Sequence, residues 1–208
     1  MNKRHFLTRT AMAAVAAMSL AACSVLPESE PLSVYQLPAP QMQASPAAQS
    51  LPSLRINTPQ AGFALSSPRM LVNPDGDQVS TYKGARWTDP VPALLREHLA
   101  KAFTQQVSAT GITTDEHALR SDVHLGSDLR QFQVRYNGSS PRAVIELDAR
   151  LINPNSRSVI AAQHFLVEQP LDNPQIAGVV SGFKLAADEL AEQLIRWSTE
   201  SLQGYEVK

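Results

Sequence analysis

The most reactive side chain in this sequence is the thiol of Cys23, the only cysteine among 208 residues. It follows Leu20, Ala21 and Ala22, and the two alanines are small enough to let an extended chain enter a peptidase site. A short apolar run precedes these residues, and three basic residues with no acidic one surround its start. The run is shorter than the ~20 apolar residues that span a bilayer, but it suits the centre of a signal peptide. Residues 1–22 are therefore predicted to be a signal peptide.

The order Leu20, Ala21, Ala22, Cys23 matches the lipobox of bacterial lipoproteins. We expect the thiol of Cys23 to carry a diacylglycerol and its freed amino group an N-acyl chain such as palmitate, with no other cofactor. Because two or more acyl chains hold a protein stably at a membrane, this would be an anchor. Ser24 follows, where the usual inner-membrane retention signal is Asp, and this favours the outer membrane. The alternative is an ordinary signal peptide with a chance cysteine.

The remaining side chains offer no arrangement for catalysis. None of the histidines after Cys23 lies at metal-ligand spacing from another histidine or a carboxylate. The sequence also has no Gly-x-Ser-x-Gly elbow and no glycine-rich phosphate loop. Glu146 and Asp148 share one face of a predicted strand, and the polar face of an amphipathic strand explains them. We therefore expect no metal and no enzyme activity. His98 is expected on the first helix, at the boundary between its apolar stripe and its polar face.

The net charge of the mature chain limits which classes of partner the protein can bind. Cleavage before Cys23 removes three of the 18 basic residues and none of the 19 acidic ones, which leaves a net charge of about −4. Nucleic-acid binding needs a basic face, so we expect no nucleic-acid partner. The overall charge gives no reason to expect binding to anionic lipid either.

With its one cysteine acylated, the protein cannot form an internal disulfide, so the fold of its single domain must be stabilised by burial of apolar side chains.

Prolines mark the boundary between an extended segment and a domain. Residues 23–52 are predicted to be the acylated N-terminus and a semi-rigid, proline-rich tether of roughly 30 residues. Residues 53–208 are predicted to form one domain. A short apolar island, Val34 to Leu37, interrupts the tether. Two interpretations stay open for it: an edge strand of the domain, or an apolar piece of linker.

The first half of the domain predicts strands, a hairpin and a helix. Leu54–Ile56 has strand character, and the turn residues Asn73–Gly76 join two further strands as a hairpin. Asp89 is predicted to cap the following helix, with Pro90 at its first position. The apolar face of this helix repeats at steps of three and four residues: Val91, Leu94, Leu95, Leu99, Ala102 and Phe103.

The second half predicts three strands and a long helix. Apolar residues change phase between Leu129 and Phe132, which indicates a β-bulge near Arg130–Gln131. Clean alternation from Ala143 to Leu151 predicts a strand, and Val159–Val167 predicts another. The last helix carries an apolar stripe: Ile176, Val179, Phe183, Ala186, Leu190, Leu194 and Trp197.

The order of these elements, β-β-β-α-β-β-β-α, predicts an α+β fold with a mainly antiparallel sheet and two amphipathic helices on one face. Gly178 and Gly182 interrupt the last helix, which suggests a close approach of another element. Packing inside the monomer is the preferred explanation. A contact between subunits, and so a homo-oligomer, is the alternative.

A tryptophan, an arginine and an aspartate meet where the predicted hairpin leads into the first helix. In the structural interpretation, Asp89 caps the first helix, Trp87 packs over the start of that helix and Arg86 pairs with a carboxylate. In the functional one, they form a docking surface, because Trp and Arg are enriched at interface hot spots. The structural interpretation is preferred, and the candidate partner-binding residues are Tyr35, Leu37, Arg86, Trp87 and Asp89.

Taken in order, these motifs resemble the ABC-type transport auxiliary lipoproteins of the paraquat-inducible protein C type. The resemblance covers nearly the whole mature chain, and Arg86-Trp87-Thr88-Asp89-Pro90 is its most specific part. The other matching segments are the lipobox, Tyr35-Gln36-Leu37, Leu54-Arg55-Ile56, Leu94-Leu95-Arg96-Glu97, the acidic alternating strands and the alanine-rich last helix. The spacer between Leu37 and Leu54 looks longer than the family's.

The resemblance implies an accessory role in transport between two membranes. Members work with an ABC permease, an ATPase and MCE-domain proteins that carry lipids or other hydrophobic molecules across the periplasm. An MCE-domain protein is thus the implied partner, and the outer membrane the implied anchor site. A lipoprotein that assists outer-membrane β-barrel or envelope assembly is the competing function. A periplasmic enzyme is the third, and the missing catalytic constellation opposes it.

Overall fold

The structure of the protein is a computed structural model that describes residues 31–42, 50–109, 111–138 and 140–205. The predicted signal peptide, the lipobox with Cys23 and part of the predicted tether lie outside these residues. Within them the chain forms eleven strands and two helices. The helices are α1 (Val91–Gln106) and α2 (Ile176–Ser201). The strands are β1 (Ser33–Tyr35), β2 (Ser50–Leu51), β3 (Leu54–Ile56), β4 (Gln60–Ala61), β5 (Arg69–Asn73), β6 (Ser80–Trp87), β7 (Ser108–Ala109), β8 (Ile112–Thr114), β9 (Val123–Asn137), β10 (Ser140–Asn153) and β11 (Ser158–Pro170).

One large sheet forms the centre of the fold, with the strand order β1-β6-β5-β9-β10-β11. β3 and β4 also pair with β9, and β8 pairs with β3. The α+β prediction is confirmed, but the sheet is mixed. The hairpin pairs β5–β6, β9–β10 and β10–β11 are antiparallel, whereas β1–β6, β3–β9 and β5–β9 are parallel. Turn residues predict pairs between consecutive strands, but they carry no information on strands that meet after a long excursion.

Both helices lie on the apolar face of this sheet. α2 contacts β10, β11 and α1. Ala143, Ile145 and Leu147 of β10 are almost completely buried, as the alternation of that strand predicts. The predicted stripe of α2 is buried from Val179 to Trp197. Neither helix of the described chain is long and apolar enough to cross a membrane.

The predicted bulge in β9 is confirmed. Glu146 of β10 pairs with Gln131, and the next residue, Leu147, pairs with Leu129. Arg130 is therefore the extra residue, and it shifts the phase of the strand by one. The shift lets Leu129 and Phe132 both point to the core, although they are three residues apart.

The predicted start of the first helix is wrong by one residue. Pro90 is the N-cap, and it has an extended ψ of 138°. Its carbonyl accepts from the N–H groups of Ala93 and Leu94, at 3.0 and 3.2 Å. Asp89 makes no capping hydrogen bond and is exposed. The first turn instead contains Pro92, whose missing N–H costs nothing there.

The apolar island of the predicted tether is an edge strand. β1 pairs in parallel with the end of β6, with Val34 opposite Arg86 and Tyr35 opposite Trp87. Tyr35 and Leu37 are half-buried and pack against the core. The described residues 33–42 are thus held on the domain. If Cys23 is the anchor, only the residues before Ser33 link it to the fold.

At the two glycines of α2, another segment of the same chain approaches the helix closely. This agrees with packing inside the monomer, the explanation preferred from the sequence. A Cβ on Gly178 would overlap the backbone carbonyl of Asn173, whereas one on Gly182 would overlap the side-chain end of Leu171. We expect Gly178→Ala to lower the free energy of unfolding by about 1–3 kcal/mol, because a backbone atom cannot turn aside. Gly182→Ala is the matched control and should cost much less, because the leucine can change rotamer and alanine favours the helix. Urea unfolding measures both, and equal losses would contradict this explanation.

Candidate functional site

The structure gathers the five candidate residues at one place, the junction between β6 and α1. Parallel pairing sets β1 beside the end of β6, and the Thr88 N–H donates to the Tyr35 carbonyl at 2.8 Å. The side chains nevertheless point in three directions. Tyr35 and Trp87 point to the core, Arg86 points to the opposite face of the sheet, and Leu37 and Asp89 lie at a groove beside α1.

Trp87 belongs to the core. Its side chain is 1% exposed and contacts two phenylalanine rings edge to face, Phe132 at 6.0 Å and Phe183 at 5.7 Å between centroids. Those two rings stack on each other at 4.3 Å. The indole therefore joins β6, β9 and α2. This burial favours the structural interpretation of Trp87 over a surface hot spot.

Arg86 is exposed and does not make the expected ion pair. Among the described residues no carboxylate lies within ion-pair distance of it. Its cross-strand neighbours are Val34 of β1 and Arg69 of β5, which share its face of the sheet. This side chain is thus available to a ligand on the face away from the helices.

A groove of about 190 Å³ runs between the N-terminal segment and the start of α1. Leu37 and Leu94 give it an apolar floor, and Asp89, Glu97 and Lys101 give it charged walls. Its size suits one or two side chains of a partner. Its residues include no nucleophile paired with a base, so the groove is suited to binding.

His98 of α1 lies between the N-terminal segment and α2, which its predicted place beside the apolar stripe of the first helix did not reveal. The residue is 3% exposed. Nδ1 lies 3.2 Å from the Pro38 carbonyl, to which it can donate. Nε2 lies 3.0 Å from Oδ1 of Asp188 on α2, without a hydrogen bond between these two atoms. Burial lowers the pKa of His98 and the Asp188 carboxylate opposes that shift, with burial the larger effect. Nζ of Lys184 lies 2.7 Å from the other oxygen of Asp188.

Arg96 is a second buried polar residue that periodicity did not single out. Its guanidinium donates to the Thr58 hydroxyl at 2.9 Å and to Asp115 at 3.1 Å, and it pairs with Glu97 and Glu116. It thereby ties α1 to the loops that follow β3 and β8. A buried arginine with this many acceptors stabilises a fixed geometry and leaves no charge for a ligand.

The polar face of the sheet explains the carboxylates of β10. Asp148 accepts from His164 at 2.8 Å and from Arg130 at 2.8 Å, and these hydrogen bonds lower its pKa, with the one from His164 the larger. Arg150 pairs with Asp128 at 2.6 Å. No group of three His, Cys, Asp or Glu side chains in the described part of the chain is arranged to hold a metal ion. A lowered pKa keeps Asp148 ionised, which suits an ion-pair network.

Comparison with known proteins assigns the family. Residues 35–195 match the family described as "ABC-type transport auxiliary lipoprotein component", and this chain belongs to that family. The chain is 31% identical over 165 residues to an uncharacterized protein of Bradyrhizobium diazoefficiens. That match covers 79% of this chain and 44% of the relative, so the chain spans less than half the length of that curated protein.

Solved structures share the fold. The crystal structure of a Xanthomonas campestris protein of family DUF330 has a TM-score of 0.76 at 29% identity and covers 83% of this chain and 97% of its own. A hypothetical protein from Chlamydia trachomatis has a TM-score of 0.54 at 8% identity, with 74% and 98% covered, and shows the fold alone. By its family, then, the protein is a membrane-anchored lipoprotein of the cell envelope, and the family is described as one of auxiliary components of ABC-type transport.

The position of Trp87 predicts a large effect on stability. We expect Trp87→Ala to lower the free energy of unfolding by about 3–5 kcal/mol, because it leaves a cavity beside the two stacked phenylalanine rings. Trp87→Phe keeps an aromatic ring there and should cost less. Chemical unfolding of both variants measures the difference. A Trp87→Ala protein of unchanged stability that loses a partner would instead establish Trp87 as a docking residue.

The position of His98 predicts a dependence on pH. Because its pKa in the fold lies below the ordinary value of 6.5, the unfolded chain binds the proton more tightly. The contribution of neutral His98 to the free energy of unfolding is therefore fully present above about pH 6.5, and it is lost as the pH falls below that value. Free energies of unfolding at pH 7.5 and 5 should differ less in His98→Gln than in the parent. His124, whose pKa burial also lowers, is present in both proteins and cancels in this comparison.

Proposed function

We propose that this protein is the outer-membrane accessory component of an ABC transport system with an MCE-domain protein, which moves lipids or other hydrophobic molecules between the two membranes. The observation that carries the proposal is the family match across residues 35–195, nearly all of the described domain. The protein acts in this proposal by binding a partner, without catalysis of its own.

The anchor of the proposed function is Cys23. Diacylglycerol on its thiol and an acyl chain on its amino group hold the protein at the periplasmic face of the outer membrane. The lipobox residues and Ser24 support this part of the proposal. The diacylglycerol and an N-acyl chain such as palmitate are then the lipid groups through which the protein is attached.

The groove beside α1 is the proposed contact for the MCE-domain protein. Leu37 and Asp89, two of the candidate partner-binding residues, line it. Asp89 is exposed and has no capping role, so it is free to meet a basic group of the partner. The wall is also fixed in place, because His98 and its contacts hold the segment at Pro38 against the helices.

We expect the full-length acylated protein to recover an MCE-domain protein when it is purified by affinity from detergent-solubilised envelopes. Asp89→Lys reverses the charge of the groove wall and should reduce the recovered MCE-domain protein at least tenfold in quantitative mass spectrometry. Asp75→Lys is the matched control, because Asp75 is an exposed aspartate in the turn between β5 and β6.

Other outcomes would change the proposal. Recovery of an outer-membrane β-barrel without an MCE-domain protein would favour the assembly function. Equal loss in Asp89→Lys and Asp75→Lys would remove the groove as the contact and leave the transport role. Arg86→Gln tests the opposite face of the sheet in the same experiment, and a selective loss there would transfer the contact to that face.

A further inference from the structure

The face of the sheet away from the helices has an apolar and basic patch at its β1 end. We define the β5–β6 patch as Val34, Phe63, Arg69, Val79 and Arg86. Cross-strand pairing joins three of its members, because Arg86 lies opposite Val34 on one side and opposite Arg69 on the other. Side chains at directly opposed positions share a face, so these three form a continuous row.

The two arginines of the patch are unneutralised among the described residues. Neither lies within ion-pair distance of a carboxylate, and like charges at opposed positions destabilise a sheet. The β9–β11 part of the same face differs, because Arg130 and Arg150 each have an aspartate at 2.8 and 2.6 Å. Neighbouring carboxylates thus neutralise Arg130 and Arg150, whereas the opposed pair Arg69 and Arg86 has no such partner among the described residues. An anionic ligand would remove the repulsion.

Apolar side chains adjoin the arginine pair. Phe63 is 92% exposed and Val79 is 54% exposed, and with Leu71 they line a groove of about 380 Å³ that ends at Arg69. Val34, 48% exposed, continues the apolar surface beyond Arg86. An exposed aromatic ring beside aliphatic and basic side chains is the composition that proteins place at the boundary between lipid headgroups and acyl chains.

The chain length places this patch near the proposed anchor. Ten peptide steps separate Cys23 from Ser33, so even a fully extended chain reaches at most about 35 Å. The patch begins at the next residue, Val34. Had β1 been free linker, roughly 30 residues would have separated the anchor from the domain. Pairing of β1 with β6 therefore shortens the linker between Cys23 and the domain. It brings this face of the sheet within reach of the membrane that holds Cys23.

We infer that the β5–β6 patch docks on the surface of the anchoring membrane, with Arg69 and Arg86 on anionic headgroups and Phe63 among the upper acyl chains. The inference rests on acylation of Cys23, which belongs to the proposed function. It adds an orientation to it, because the side of the sheet opposite the helices then faces the lipid. The groove beside α1 stays open to a partner.

The test uses the acylated mature protein in vesicles of phosphatidylethanolamine, with or without brominated phosphatidylglycerol. Because Cys23 is the only natural cysteine and is blocked, a single introduced cysteine can carry a fluorescent label. Thr81→Cys places the label in the groove of the patch, and Gln163→Cys places it on the exposed part of β11. We expect the brominated lipid to quench the label at 81 and to leave the label at 163 bright.

Removal of positive charge tests the role of the two arginines, and the same removal elsewhere is the matched control. Each basic residue near an anionic surface changes the docking equilibrium roughly fivefold, so Arg69→Gln with Arg86→Gln should reduce docking roughly twenty- to thirtyfold. Arg120→Gln with Arg157→Gln removes the same charge from exposed loops away from the patch and should leave the quenching unchanged. High salt should act like the first pair. Thermal unfolding checks that all four substitutions leave the fold intact.

Three results would overturn the inference. Equal quenching at 81 and 163 would mean that no face is preferred, and quenching that survives loss of Arg69 and Arg86 would mean that the patch is not responsible. A label at 81 that responds only when the MCE-domain protein is added would assign the patch to a protein partner. A protein that does not stay with vesicles in flotation lacks the anchor, which separates failure of the proposed attachment from failure of the docking face.

Discussion

Three aromatic rings hold the elements of this domain in register. Trp87 ends β6, Phe132 follows the bulge of β9, and Phe183 lies on α2, and their side chains are almost completely buried together. The bulge at Arg130 is what turns Phe132 inward. Gly178 and Gly182 let α2 approach the segment after β11, which keeps Phe183 within reach of the other two rings. Every surface feature of the junction depends on this arrangement, because Trp87 fixes the course of the chain between Arg86 and Asp89.

The N-terminal segment is the second constraint. β1 pairs with β6, and further along Pro38 accepts a hydrogen bond from the buried His98, whose other nitrogen faces Asp188. The chain is thus fixed to the domain at two points between Ser33 and the groove. For a lipoprotein this matters, since the segment that leads to the anchor also decides which side of the domain is close to the membrane. The groove and the β5–β6 patch lie on different sides of the junction, so one surface can meet lipid while the other meets a protein.

These features agree with membership of a family of transport auxiliary lipoproteins. Arg96 and Asp148 each pair with more than one partner and are thus occupied by ion pairs and hydrogen bonds within the fold. Asp89 at the groove and the arginine pair of the β5–β6 patch, by contrast, are exposed and make no ion pair among the described residues. Both are suited to recognition of another surface, which is the task of an accessory protein.

Local pattern determined much of this protein. The α+β class, the hairpin at Asn73–Gly76, the bulge and the apolar faces of both helices all follow from residues close together in the sequence, because periodicity and turn chemistry act over a few residues. The lipobox at Cys23 stays a prediction of the sequence. The tertiary structure decided the rest. It placed β1 parallel to β6, buried His98 against Asp188, moved the cap from Asp89 to Pro90 and set Arg69 opposite Arg86. Apart from the cap, these join residues far apart along the chain. Alternation tells which face of a strand or helix is apolar, but it does not tell which distant element covers that face, and burial and charge pairing depend on that partner.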